Sequence, residues 1–136
     1  MKKIADLHQF IASLNLVAAE QIDSDVDDLT ITPACRETGI IGQLIIAEKD
    51  YTATFFIERY PHGRISEDAL LAQISVWLIE NDTARIEPIH FSLIIQVLDA
   101  QTANLEFGIV FNEPIVAVET VDGPLTINNK QYALYE

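Results

Sequence analysis

The chain has one cysteine in 136 residues, so no internal disulfide is available to it. Cys35 sits in Thr32-Pro33-Ala34-Cys35-Arg36 with no histidine close by, and reads as a free structural thiol rather than a nucleophile. There is no apolar run near the roughly 18 residues that a membrane span needs. Met1-Lys2-Lys3 carries positive charge. Asp6, His8 and Gln9 then break the apolar residues, no small-residue cleavage site follows, and the start lacks the form of a signal peptide. The expectation is a protein that stays in, or is assembled in, the cytoplasm.

Positive charge is also scarce. Eight Lys and Arg stand against 21 Asp and Glu, for a net charge of −13. That argues against direct binding of nucleic acid through a basic surface and against docking on anionic lipid. It would repel DNA phosphates, which suits a surface that DNA must slide past. Internal repeats and low-complexity linkers are missing, and the length suits one domain, 1–136, with a core of its own.

Motifs that carry chemistry are missing too. His8, His62 and His90 do not share a metal-ligand spacing, and there is no Gly-rich phosphate loop, G-x-S-x-G elbow or paired-cysteine zinc signature. His62, beside Gly63 and Arg64, is the best placed of the three for acid–base work, but no second catalytic group is spaced near it. His90 reads as an ordinary strand residue. Asp23-Ser24-Asp25-Val26-Asp27-Asp28 starts like a calcium loop. It then places Asp28 where glycine is required and Ala34 where a bidentate glutamate is required, so it reads as a solvated acidic loop. No catalytic, cofactor-binding or metal residue is assigned, and no cofactor is expected.

What is present is periodicity. Ile4, Leu7, Ile11, Leu14 and Ala18, widened by Phe10 and Val17, predict a helix over 4–19. A short strand is expected at Leu29–Thr32. Gly39–Ala47, apolar on both faces, predicts a strand covered on both sides or by another subunit. A turn at Glu48-Lys49-Asp50 would join it to strand 51–60. There Tyr51, Ala53, Phe55 and Ile57 alternate with outward residues, and Phe56 puts one large apolar group on the outer face. Ser66 is the expected N-cap of a second helix. Leu70, Leu71, Ile74, Trp77 and Leu78 form its stripe, which makes Trp77 a packing residue. Strands 89–98 and 103–112 make a second hairpin through Asp99–Thr102. Pro114 is expected to end the latter, Ile115–Thr120 to form a further strand, and 125–134 a small hairpin. The fold class is α+β: a mixed or antiparallel sheet of two hairpins and a β tail under two helices, in the order α-β-β-α-β-β-β.

Three stretches carry a likeness. They are Glu48-Lys49-Asp50-Tyr51, Trp77-Leu78-Ile79-Glu80-Asn81, and Glu119-Thr120-Val121-Asp122-Gly123 with Leu125-Thr126-Ile127-Asn128-Asn129. In this order, over about residues 36 to 129, the chain resembles the tail completion protein R (GpR) family of contractile-tailed temperate phages and prophages. In outline it is similar to the tail terminator (GpU) class, which acts as six-membered rings. Members of the family often continue past the last hairpin, where this sequence has Glu136. The resemblance implies a structural protein of the virion tail that caps the head-proximal end, stops tail polymerisation and prepares joining to the head. The implied partners are further copies in a ring, the tail tube and sheath, and the head–tail connector, with assembly in the host cytoplasm. It implies no catalytic residue. The ring also suggests that part of the set Asp23, Asp25, Asp27 and Asp28 faces a lumen or a neighbour. The competing readings are a small acidic adaptor or secretion chaperone that uses its exposed apolar faces, and an enzyme built on His62.

Overall fold

The computed structural model describes residues 1–82 and 91–135. The fold is α+β, with two helices and a six-stranded antiparallel sheet. The elements are α1 (Lys2–Ser13), β1 (Ile22–Glu37), β2 (Gln43–Tyr60), α2 (Glu67–Asn81), β3 (Leu93–Val97), β4 (Ala103–Glu119), β5 (Leu125–Ile127) and β6 (Lys130–Leu134), with a 3-10 turn at Ala19–Gln21. The strand order is β1-β2-β4-β6-β5, and β3 pairs with β4. By its internal contacts the chain divides into two compact units. One is Met1–Asp27 with Thr52–Val110; the other is Asp28–Tyr51 with Phe111–Glu136.

The first unit has a layered core. Ile4, Leu7 and Ile11 of α1 and Leu70, Ile74 and Leu78 of α2 are buried, at the spacing of one helical face. From the strands Ile22, Ala53, Phe55, Ile57, Leu105, Phe107 and Ile109 join them. Phe55 and Phe107 stack with centroids 5.2 Å apart. The alternation of β2 shifts by one near its end. Arg59 takes φ 55°, its N–H donates to Asn104 Oδ1 at 3.1 Å, and Tyr60 rather than Arg59 turns inward. An extra residue of this kind is a bulge. The Tyr60 hydroxyl donates to the Ser66 carbonyl at 2.9 Å, and burial, then the Glu67 carboxylate, push the phenol above its usual pKa. Ser66 is the N-cap by position, but its side chain makes no capping bond. Lys3 Nζ donates to the buried Asp82 at 2.6 Å. The turn before β4 is built by Asp99, whose Oδ1 accepts from the N–H groups of Gln101 (2.8 Å) and Thr102 (2.7 Å).

The second unit buries little: Ala47, Tyr51, Phe111, Glu113, Ala117 and Tyr132. The Tyr51 hydroxyl donates to the Glu113 carboxylate, and this bond gives the buried acid a partner. Asn128 and Asn129, at φ 51° and 66°, connect β5 to β6, as a two-residue hairpin turn of the primed type demands.

Four expectations are corrected. The first helix stops at Ser13, not 19, because Asn15 is left-handed at φ 55° and donates to Ala12 O at 3.2 Å. The acidic stretch 23–28 is strand, not loop, and continues through 29–37, with Asp28 at φ 54° within it. Pro33 fits there because β1 is terminal in the sheet, where a missing N–H costs no ladder bond on the outer side. Glu48-Lys49-Asp50 is not a turn. β2 runs through it without a break, and the chain reverses instead at 38–42, where Gly39 (φ 91°) and Gly42 (φ 78°) supply the positive φ. Pro114 does not end β4, whose odd-numbered residues keep facing inward through Glu113 to Ala117. Of the expected strand 89–98, residues 93–97 are strand, Leu93 pairing with Phe107 and Val97 with Ala103; 89 and 90, with His90, lie outside the described residues.

Candidate assembly surface

The residues first weighed for chemistry are not brought together. Cys35 is exposed on β1. His8 Nδ1 lies 2.8 Å from Ser24 Oγ, which ties α1 to β1 within the first unit. His62 Nε2 lies 3.0 Å from the Asp99 carbonyl and Nδ1 3.9 Å from Glu67, so it bridges two turns rather than facing a cleft. Trp77 packs against Phe10 with centroids 6.5 Å apart, as a packing residue does. Among the described residues no three His, Cys, Asp or Glu side chains are grouped to hold a metal. No helix of the described residues is long and apolar enough to cross a membrane.

What the molecule offers instead is uncovered apolar surface. The chain has four runs of ten or more residues without Asp, Glu, Lys or Arg: 7–19, 38–47, 69–79 and 88–98. Two of them contain the helices α1 and α2, which bury Ile4, Leu7 and Ile11 and Leu70, Ile74 and Leu78, while Val76 and Ile79 of α2 stay open. The other two are not accounted for in that way.

The first is the reversal at 38–42. Thr38 Oγ1 donates to Gln43 Oε1 at 2.8 Å and accepts from the Ile40 N–H at 3.2 Å. Gln43 N donates back to Ile40 O at 3.2 Å. The loop is thus tied across its base, and the Gly42 carbonyl is held by the Glu119 N–H at 2.7 Å. Its tip presents Ile40 at 63% exposure and Ile41 with no cover at all. Along β1, Leu29 and Ile31 are also exposed. From 29 to 47 the only charges are Arg36 and Glu37, which cancel, and Arg36 is paired with Glu48 on β2.

The second is the surface around β3. Ile94 and Val97 are 62% and 63% exposed, with Ile95 and Leu98 also open. Beside Ile94 lies a recess of about 420 Å³ lined by Thr54, Phe91, Glu106, Phe107 and Gly108 among others. Gly108 forms part of it because it has no side chain; a Cβ there would sit 3.2 Å from Thr52 Cγ2. The expected outward position of Phe56 is found, at the edge of exposure.

Sequence reasoning singled out 40–47 as spare apolar surface but set it in a strand. The signal for a turn was Gly39 and Gly42 flanking two isoleucines. The exposure of β3 was missed, because its clean alternation reads as burial on one face.

Exposed apolar surface on two segments, as at 38–42 and around β3, marks sites of contact with other molecules. The comparison with known families makes this specific. Residues 1–134 match the family P2 phage tail completion protein R (GpR), and the chain belongs to that family. A relative is the uncharacterized 19.2 kDa protein in the rep-hol intergenic region of Haemophilus phage HP1, 33% identical over 93 residues. The match covers 67% of this chain and 56% of that protein, so the chain spans little more than half the length of the relative.

Proposed function

We propose that this protein is a structural component of the phage tail that caps its head-proximal end, ends polymerisation of the tail and prepares it for joining to the head. The observation that carries the reading is the family match over residues 1–134. The exposed isoleucines of the 38–42 turn and the open surface at β3 support it, since a capping subunit needs apolar surface beyond its own core. On this reading the whole chain acts as one tail-completion domain and is not an enzyme. Copies form a ring, six-membered as in the terminator class, and the ring meets tail tube and sheath on one side and head–tail connector proteins on the other. Assembly takes place in the host cytoplasm, and the product is part of the virion. DNA passes the ring without specific binding. Part of the set Asp23, Asp25, Asp27 and Asp28, all in the first half of strand β1, faces the lumen or a neighbour and keeps DNA from sticking. Charge reversal at these four positions with unchanged DNA delivery would remove that last point.

The experiment is electron microscopy of lysates from a phage or prophage lacking only this gene. Irregular or over-long tails without attached filled heads are the expected result. Normal tails joined to heads would overturn the reading. The remaining candidate would then be a small acidic adaptor that binds its partner through the same apolar turn.

A further inference from the structure

The two uncovered surfaces have a property in common. Each centres on a run without charged residues in a chain of −13, and they lie on different parts of the sequence, at 38–42 and at 91–98. Copies of so acidic a protein repel one another, and that repulsion is strongest wherever carboxylates face carboxylates. Contact between copies costs least where charge has been thinned out. Contact between one such surface and the other is heterologous, and heterologous contacts generate rings or filaments rather than closed pairs.

We infer that the 38–42 turn of one copy docks in the recess beside Ile94 on the next copy, with Ile41 as the inserted side chain. This rests on the ring reading above and deepens it by naming the two halves of the subunit contact. The turn is suited to the part, since it is tied at its base by Thr38 and Gln43 and held open by two glycines at positive φ. Insertion therefore orders little that is not ordered already. The recess is suited as well. Its volume of about 420 Å³ exceeds that of one isoleucine side chain, and Phe91, Ile94 and Phe107 give apolar walls. Glu106 stands on its lining as well, opposite Ile94 in the β3–β4 register. As an exposed group it can keep its water at the margin of the contact.

The test is disulfide trapping in tails purified from lysates. The gene carries Cys35→Ser to remove the native thiol, with Ile41→Cys and Ile94→Cys together. Diamide serves as oxidant, taking the two hydrogens as each thiol pair joins. The expected result is a ladder of covalent multimers on non-reducing gels, ending at the ring size, and no ladder from either single cysteine variant. Tails that contain the protein but give no ladder would overturn this contact and leave tail completion standing. A covalent dimer from Ile41→Cys alone would also overturn it, since it shows turn meeting turn. Absence of the unaltered protein from tails would overturn the functional reading itself. A second variant separates docking from folding. Ile41→Glu places a carboxylate at the point of insertion and is expected to be lost from tails. Ile79→Glu, at an open position on α2, is expected to be incorporated as the unaltered chain is.

Discussion

The two compact units of this chain are built on different principles. The first has two helices and a sheet to bury against one another, and its core consists of large side chains: Leu7, Ile11, Phe55, Ile57, Leu70, Ile74, Phe107 and Ile109. The second has strands and turns only among its described residues, with six buried side chains, two of them alanine and one a glutamate, besides the buried Gly123. Hydrophobic burial scales with the apolar area removed from water, so the first unit has most of the stabilisation to lose. In the second, backbone pairing and turn geometry carry a larger share. A region with so little buried side chain keeps its apolar residues, such as Ile40 and Ile41, available for other molecules. The first unit has open apolar residues too, at Ile94 and Val97 on β3, but it sets them beside a large core of its own.

The comparison breaks first at Phe55. Phe55→Ala removes a fully buried ring that stacks on Phe107, and is expected to cost about 3–5 kcal/mol. The urea midpoint measures it. A loss below about 1 kcal/mol, the level expected at exposed sites, would mean that the first unit is not where stability resides.

The second unit is tested through its backbone. A Cβ at Gly123 would meet the carbonyl of Tyr132, an atom of the β6 backbone that cannot swing aside as a side-chain tip can. Gly123→Ala is expected to cost about 1–3 kcal/mol, as overpacking does. It should also raise amide exchange first at Thr120 and Gly123, whose N–H groups bond to Gln131 O and Thr120 O. Exchange that rises equally in α1 would show that the two units open together.

Tyr51→Phe sharpens the contrast further. It takes one hydrogen bond from Glu113, a carboxylate that is almost wholly buried, and is expected to cost roughly 1–2 kcal/mol. The same exchange at Tyr60, whose hydroxyl bonds to a neutral carbonyl, should cost less.

The same contrast explains what the sequence made legible. Where side chains are packed, their spacing is visible. Leu70, Ile74 and Leu78 predicted α2, and Tyr51, Ala53, Phe55 and Ile57 predicted their strand. Where the backbone decides, the pattern misleads. Glu48-Lys49-Asp50 looks like a turn because it is polar, yet those residues sit in a strand with little to bury and lose nothing by being charged. Gly39 and Gly42 were read as parts of a strand because the residues between and after them are apolar. Their positive φ values, which make the real turn, leave no mark on hydropathy. The positive φ at Asp28 and the bulge at Arg59 are invisible for the same reason; the latter shifts the alternation of β2 by one without a change in composition. The family likeness survived these errors because it rested on residues in order, whatever their conformation. The assembly surface was half legible. An apolar stretch at 40–47 can be noticed in sequence, but that Ile41 has no neighbour is a property of the fold.

The smallest expected effect lies at the turn before β4. Asp99 accepts hydrogen bonds from the N–H groups of Gln101 and Thr102, and these hold its carboxyl below the usual 3.8, with the Thr102 hydroxyl and Arg59 assisting. A folded-state pKa below the unfolded value means that the unfolded chain binds a proton more readily. The contribution is therefore fully present above pH 3.8 and is lost as pH falls through the lower, folded value. Asp99→Ala should remove that part of the acid dependence and leave the profile at neutral pH parallel to that of the unaltered chain. Thermal melts from pH 2 to 7 would measure it. The side chain is open to solvent, so the shift in melting temperature should be the least of the series. A change at Asp99 as large as that at Phe55 would place a substantial part of the first unit's stability in its turns, and would erase the distinction drawn between the two units.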